Sequence, residues 1–401
     1  MRLVERNKIF VIVFVCFCCL IIGTATIFAS YSSEIKTASK PGYVSQSGSD
    51  PLTWSDVSAT TTDVSSNKRL FYSNNPEEIP LIKQPSGDVL SNEGIIFNSA
   101  YRSDGGRVYM HHYNNSPSSN VTVALLARNV GSSSGSLTIG KFGDGAGATL
   151  SNPLSVGGTA AKQYFSNSPL NTTFSSIPVN GWVTVVSKTL TPGQTTSMIM
   201  DLTYSGTFRL YTAYVTPASS YATPLAFAQA NYNSSSAYLW SNQESTVRGD
   251  ALHTRQIDVS FNPDNLYNRR LRINNNYPND SVISTSDYTW NVSSPTTRTL
   301  TGNFGLLYKV NVNTGTWATN SSTKQLYAGL NPRGGSMLGG VYSSVDIPNL
   351  AGGFSLPSIA AQTQTANIGR WGSYWRTANF EYILPGGANA PNMILFSGFT
   401  P

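Results

Sequence analysis

Hydrophobic and polar positions alternate with a period of two wherever this chain shows a pattern. Residues 107–129, RVYMHHYNNSPSSNVTVALLARN, read as two strands and the turn between them. Val108, Met110 and His112 fall on one face of an extended segment, with Tyr109, His111 and Tyr113 on the other, because side chains alternate along a strand. Val121, Val123, Leu125 and Ala127 repeat the pattern, and the Asn-, Ser- and Pro-rich residues between the two runs predict the reversal of a hairpin. Further strands are predicted at 94–97, 137–142, 182–190, 197–204 and 207–215. Beyond them the same reading gives 257–261, 271–273, 304–312, 325–330, 341–347, 367–383 with interruptions, and 393–396. Only 159–165 reads as helical. Many short strands between Gly, Pro and Asn turns, without a fixed repeat, predict an all-β chain of antiparallel sandwich-like sheets.

At 401 residues the chain exceeds the size at which one core keeps growing, which predicts two domains. Arg2, Arg6 and Lys8 precede an apolar run from Ile9 that weakens toward Ala29, so 1–29 reads as an export segment. It is either a signal peptide cleaved after Ala25 or Ala29, or a retained N-terminal transmembrane anchor, since 21 residues suffice to span a bilayer. Residues 30–67 are polar and are expected to form a flexible Ser/Thr-rich linker. Sandwich-like domains are then expected at 68–216 and 217–401, divided at the Pro- and Ser-containing stretch 216–223. Cys16, Cys18 and Cys19 all lie in the hydrophobic run, so the exported part is expected to have no disulfide. An exported β protein without cysteine points to a bacterial, Gram-positive source.

Charge narrows the partners. Only 11% of residues are charged and the formal balance is +6, of which the first thirty residues supply +2. The remainder is too thinly spread for a nucleic-acid surface and supports only weak attraction to an anionic cell wall.

Several short strings occur in order: Phe71-Tyr72-Ser73-Asn74-Asn75-Pro76-Glu77, His111-His112-Tyr113-Asn114, Ala127-Arg128-Asn129, Asn303-Phe304-Gly305-Leu306-Leu307-Tyr308, Asn331-Pro332-Arg333-Gly334-Gly335 and Pro385-Gly386-Gly387-Ala388-Asn389. Together they resemble a family of uncharacterised secreted proteins of Gram-positive bacteria, some of which carry a copper-amine-oxidase-like N-terminal stalk domain. No counterpart of the stalk is read in this sequence, and the resemblance implies secretion without implying an activity. A copper amine oxidase needs a His-x-His pair, a third histidine and a cofactor tyrosine in Asn-Tyr-Asp or Asn-Tyr-Glu. This chain offers His111, His112 and His253, and its nearest string is Asn231-Tyr232-Asn233, so the oxidase label is rejected.

Candidate chemistry is sparse. His111 and His112 are adjacent and point to opposite faces of a strand, so with His253 they make only weak candidates for a metal site. Gly131-Ser132-Ser133-Ser134-Gly135 matches the nucleophile-elbow string but sits between two predicted strands rather than before a helix. Glu77, Glu78, Glu93, Asp201, Asp258 and Glu381 are available for glycoside hydrolysis, yet no spacing selects a pair. Arg248-Gly249-Asp250 spells an adhesion tripeptide. The segment 370–376 is the most suggestive: in a strand Trp371 and Trp375 share a face about 13 Å apart, with Arg370, Tyr374 and Arg376 facing away from it. They are read either as stacking platforms for a sugar chain or as filling of the second core. The expected protein is therefore an extracellular or cell-surface, non-enzymatic protein without a cofactor, structural or binding wall or environmental polysaccharide. A secreted carbohydrate-active hydrolase is the alternative. A membrane is met only through 1–29 if that segment is retained.

Overall fold

The computed structural model describes residues 43–45, 55–64, 68–145, 148–149, 153–242, 246–260, 269–274, 280–288, 295–313, 325–332, 340–343, 352–355, 364–371, 377–386, 388, 390 and 392–399. The chain is all-β, as its period-two pattern predicts, and its sheets stack as sandwiches.

The first sandwich sets a four-stranded sheet against a ten-stranded one. The smaller sheet runs Trp182–Leu190, Val121–Asn129, Phe208–Val215, Glu93–Asn98, every pair antiparallel. The larger runs Thr172–Ile177, Gly135–Asp144, Gln194–Ser205, Gly106–Asn114, Arg69–Ser73, Arg248–Leu252, Ile283–Asp287, Thr296–Leu300 along its main path. Phe71, Val108, Met110, Met198 and Met200 from the larger sheet meet Phe97, Val123, Leu125 and Leu210 from the smaller one in a closed apolar layer. Each such side chain contributes roughly 1.5–3 kcal/mol on leaving water.

The predicted hairpin at 107–129 is not a hairpin. Gly106–Asn114 pairs with Gln194–Ser205 and Arg69–Ser73, while Val121–Asn129 pairs with Trp182–Leu190 and Phe208–Val215 in the opposite sheet. The connection is instead an arch that carries the chain across the core. Asn114 Nδ2 donates to Ser119 O and Leu190 O, and Asn114 Oδ1 accepts from the Ser116 amide, so this turn satisfies its own backbone. The polar composition that signals a reversal is thus the same for an arch and for a hairpin.

Two six-stranded sheets form the second sandwich. Ile257, Val259, Val310, Val312 and Phe380 from one face Leu271, Ile273, Leu330, Ile394 and Phe396 from the other. The expected boundary at 216/217 does not divide the cores. The ten-stranded sheet passes from Arg69–Ser73 directly onto Arg248–Leu252, and its outer face places Leu70, Tyr72, Tyr109 and Ile199 in the second core. Composition marks a loop at 216–223, but it cannot reveal that the chain returns to extend a sheet already begun.

The expected linker at 30–67 is also corrected within the described residues. Ser58–Asp63 pairs antiparallel with Thr254–Ser260, and Ser55–Asp56 lies parallel to Arg269–Ile273. Asp63 accepts from Arg255 at 2.6 Å, and Asp56 from Arg270 at 3.0 Å. Three consecutive threonines have the β-branched shape of an edge strand even where no apolar alternation announces one. The segment 1–29 lies outside the described residues, among which no helix is long and apolar enough to cross a membrane.

The helix expected at 159–165 extends over Pro153–Ser166, opened by a proline suited to a first turn. It packs against Gly135–Asp144 through glycine: a Cβ on Gly143 would overlap the Ala160 carbonyl, and one on Gly145 the Val156 carbonyl. A second helix, Pro224–Asn231, was not signalled by periodicity. Its N-cap is Thr223, whose Oγ1 accepts from the Ala226 amide at 3.1 Å.

Candidate functional site

The adjacent histidines do diverge, as alternation requires. His112 is buried with Nδ1 2.9 Å from Pro76 O and Nε2 3.0 Å from Ser73 Oγ. A carbonyl only accepts, so Nδ1 carries the proton and Nε2 accepts from the serine hydroxyl. Burial pushes the pKa of His112 down to about 3. His111, on the other face, holds Nε2 3.8 Å from Glu77 Oε1, and burial lowers its pKa as well. His253 bonds Thr254 Oγ1 at 2.6 Å, and burial followed by the charge of Arg107 lowers its pKa to about 2. Among the described residues no three His, Cys, Asp or Glu side chains come together to hold a metal, so the histidine candidates do not assemble there.

Ser197 stands opposite His111 in the strand register, with Glu77 beyond the imidazole. These are hydrolase residue types, but Ser197 and His111 are buried and no hydrogen bond joins them. The backbone of Gly386 closes over them so tightly that a Cβ there would collide with His111 Nδ1 and the Tyr109 hydroxyl. Ser197 itself exposes no surface. Candidate acids are engaged elsewhere: Glu78 with Lys83 at 3.0 Å, Asp201 with Arg107 at 3.2 Å, Glu381 with Lys309 at 3.6 Å. The adhesion-like tripeptide is interior strand. Arg248 is buried on Asp287 at 3.0 Å, and buried Asp250 accepts from Arg102 at 3.1 Å.

Of the expected sugar platform, Arg370 and Trp371 close the strand Gln364–Trp371, their backbones opposite Tyr327 and Leu326. Tyr374, Trp375 and Arg376 lie outside the described residues, and so does the expected shared face of the two tryptophans.

A different aromatic surface lies on the outer face of the four-stranded sheet. The register sets Arg128 opposite both Trp182 and Arg209. The helix Pro224–Asn231 covers the rest of that face, burying Phe227 and Ala228 with Ile95, Leu126 and Ala213. Its last turn delivers Tyr232, whose amide donates to Ala228 O at 2.9 Å, against the uncovered corner. There the Trp182 ring lies 4.7 Å from Tyr211 and 5.6 Å from Tyr232. The Arg128 guanidinium sits 4.2 Å above Tyr232 and 5.8 Å from Trp182. Arg209 bridges the Tyr211 ring and Tyr101, 5.4 Å from each, and Tyr101 is 53% exposed. The result is a corner where half-buried Trp182, Tyr232 and Arg128 meet the surface, backed by buried Tyr211 and Arg209, with exposed Tyr101 on the far side of Arg209. At the other end of this face a cleft of about 520 Å³ opens, lined by Leu90, Asn92, Glu93, Phe227 and Asn231.

The alternation at 182–190 was legible, but this surface was not, because Tyr101 and Tyr232 come from a loop and a helix end. The sequence signal available was the tyrosine-rich run around Tyr221, Tyr232 and Tyr238.

No protein-family model matches this chain, and no curated protein matches it. Among solved structures, a Bacillus thuringiensis Cry1Da tryptic core variant is 12% identical over 35% of this chain and 21% of its own, with a TM-score of 0.15. The C-terminal CBM6 of LamC from Zobellia galactanivorans is 15% identical over 39% of this chain and 99% of its own, with a TM-score of 0.14. The CUB1-EGF-CUB2 region of human MASP-1/3 is 11% identical over 77% of this chain and 100% of its own, at 0.15. The chain thus spans about a fifth of the Cry1Da core, and likeness at this level assigns no family.

Proposed function

We propose that this chain is an exported, extracellular protein that binds a glycan without turning it over, and that the outer-face aromatic surface is where the sugar sits. The observation that carries the reading is Trp182, half-buried against Tyr211 and Tyr232, with exposed Tyr101 further along the same corner beyond Arg209. Aromatic faces fixed by packing receive the apolar C–H side of a pyranose, while neighbouring amide and guanidinium groups meet its hydroxyls. Rigid rings add contact area with little loss of side-chain freedom on binding.

Affinity electrophoresis of the intact protein in gels containing wall or environmental polysaccharides tests this reading. Retardation should occur with at least one polysaccharide and fall at least tenfold in affinity for Trp182→Ala. Equal retardation of both proteins removes this surface from the reading. Released reducing sugar would replace binding with hydrolysis.

A further inference from the structure

The glycan-binding reading leaves the chemistry of the sugar open, and the arginines of this sandwich bear on it. Arg102 reaches Asp250 at 3.1 Å and Arg107 reaches Asp201 at 3.2 Å, so each cation is matched by a carboxylate. Arg128 and Arg209 reach none among the described residues, although both pack against the rings of the aromatic corner. Arg209 is buried and donates to main-chain oxygens, Nε to Ser99 at 2.9 Å and Nη2 to Tyr288 at 3.3 Å. Carbonyl oxygens satisfy its N–H groups but do not cancel its charge. It therefore lends positive potential to the surface above it.

Arg128 is placed differently. Its guanidinium is stacked over Tyr232, and Nη2 donates at 2.6 Å to the side chain of exposed Asn180. Nε is buried and makes no close hydrogen bond, and the neutral Tyr211 hydroxyl is the other polar group facing the guanidinium. Asn180 is held in the left-handed region at φ 61°, in the turn before Trp182, which keeps its amide beside the arginine. A guanidinium immobilised on a ring, with one neutral exposed acceptor and no acid, is preorganised for an anionic oxygen pair.

We propose that the ligand is an acidic glycan whose carboxylate or phosphodiester group is held by Arg128 while an adjacent sugar ring stacks on Trp182. The inference rests on the glycan-binding reading and adds to it the charge of the sugar. Half-burial on aromatic rings weakens solvent screening, so the anion is felt more strongly here than at an open surface lysine.

The test uses the full chain and three polymers: polygalacturonate, its fully methylated ester, and a phosphomannan, whose phosphodiesters join sugar rings. Polygalacturonate and its ester share a backbone and differ in charge, so their comparison needs no variant. The expected result is at least tenfold tighter binding of polygalacturonate or the phosphomannan than of the ester. That preference should shrink severalfold between 50 and 500 mM NaCl. Arg128→Gln should abolish the preference and Arg128→Lys retain part of it, with unchanged circular dichroism in both. The polymer preferred identifies the anion as carboxylate or phosphodiester. Ester and free acid bound equally, with both lost in Trp182→Ala, overturns the acidic inference and leaves glycan binding standing. No binding to any polysaccharide overturns both. Single-stranded DNA held as tightly as the acidic polymers would make the site a general polyanion surface and overturn the glycan assignment.

Discussion

The rings of Tyr72 and Tyr109 stack 4.9 Å apart and within 4° of parallel, on neighbouring strands that run in the same direction. Both rings are wholly buried on the face of the ten-stranded sheet that belongs to the second core. The Tyr72 hydroxyl makes no close hydrogen bond there, the nearest polar side chain being that of Asn74. A buried hydroxyl without a partner opposes folding, whereas the ring it sits on favours it. Tyr72→Phe should keep the stack and raise stability by up to about 1 kcal/mol, read as an increased urea midpoint at constant m. A clear loss of stability would show that the hydroxyl is satisfied.

Helix packing gives the sharpest steric prediction. A Cβ on Gly143 would overlap the Ala160 carbonyl, which is helix main chain and has no rotamer to change. Gly143→Ala should cost about 2 kcal/mol or more, in the range of overpacked cores. Gly193→Ala is the control, since its φ of 80° is strained for alanine but nothing lies within 4 Å of the added methyl. It should cost about 1 kcal/mol. Thermal unfolding of the pair separates steric collision from backbone strain.

The strand preceding residue 65 is part of the fold. Ser58–Asp63 covers Thr254–Ser260 along its length, and neighbouring Val57 is only 5% exposed. A chain beginning at residue 65 loses the Val57 contact, roughly 1.5–3 kcal/mol, and leaves Arg255 with Asp280 but without Asp63. It also bares a sheet edge. The truncated protein should melt several degrees lower and associate on size-exclusion chromatography. A truncated chain as stable and monodisperse as the full one would contradict this account.

What the sequence discloses is local. The strand at Trp182–Leu190 was legible from its alternation, and Phe208–Val215 from its run of aromatic and β-branched residues, which is buried on both faces. Arg248–Leu252 was not, because Arg248, Gly249 and Asp250 read as a charged loop until Asp287 and Arg102 are placed beside them. Partner choice was equally hidden. The two strands of the 107–129 run stand in different sheets, and only long-range register distinguishes that arch from a hairpin. The candidate surface shows the same limit: Trp182, Tyr232 and Tyr101 are far apart in sequence, and a helix end and a bridge at Arg102 bring them together.

Buried titratable groups predict how stability follows pH. Burial lowers the pKa of His112 from 6.5 to about 3, so the unfolded chain takes up a proton near 6.5 that the folded chain refuses until much lower. Stability from the neutral ring is complete above 6.5 and is lost as pH falls toward 3, at up to about 1.4 kcal/mol per pH unit. Asp250 acts oppositely. Burial, offset in part by Arg102, raises its pKa from 3.8 to about 6, so the folded chain keeps a proton that the unfolded chain releases. Its contribution falls as pH rises from about 4 to 6. The histidine is displaced further from its ordinary value, and burial displaces His111 and His253 in the same direction, so loss in acid wins. Urea midpoints should fall between pH 6.5 and 4. His112→Gln should shallow that fall, and Asp250→Asn should steepen it between pH 6 and 4 by removing the opposing group. A wild-type midpoint that stays level across this range, or an Asp250→Asn slope no steeper than wild type, would show that these groups are hydrated in the folded protein.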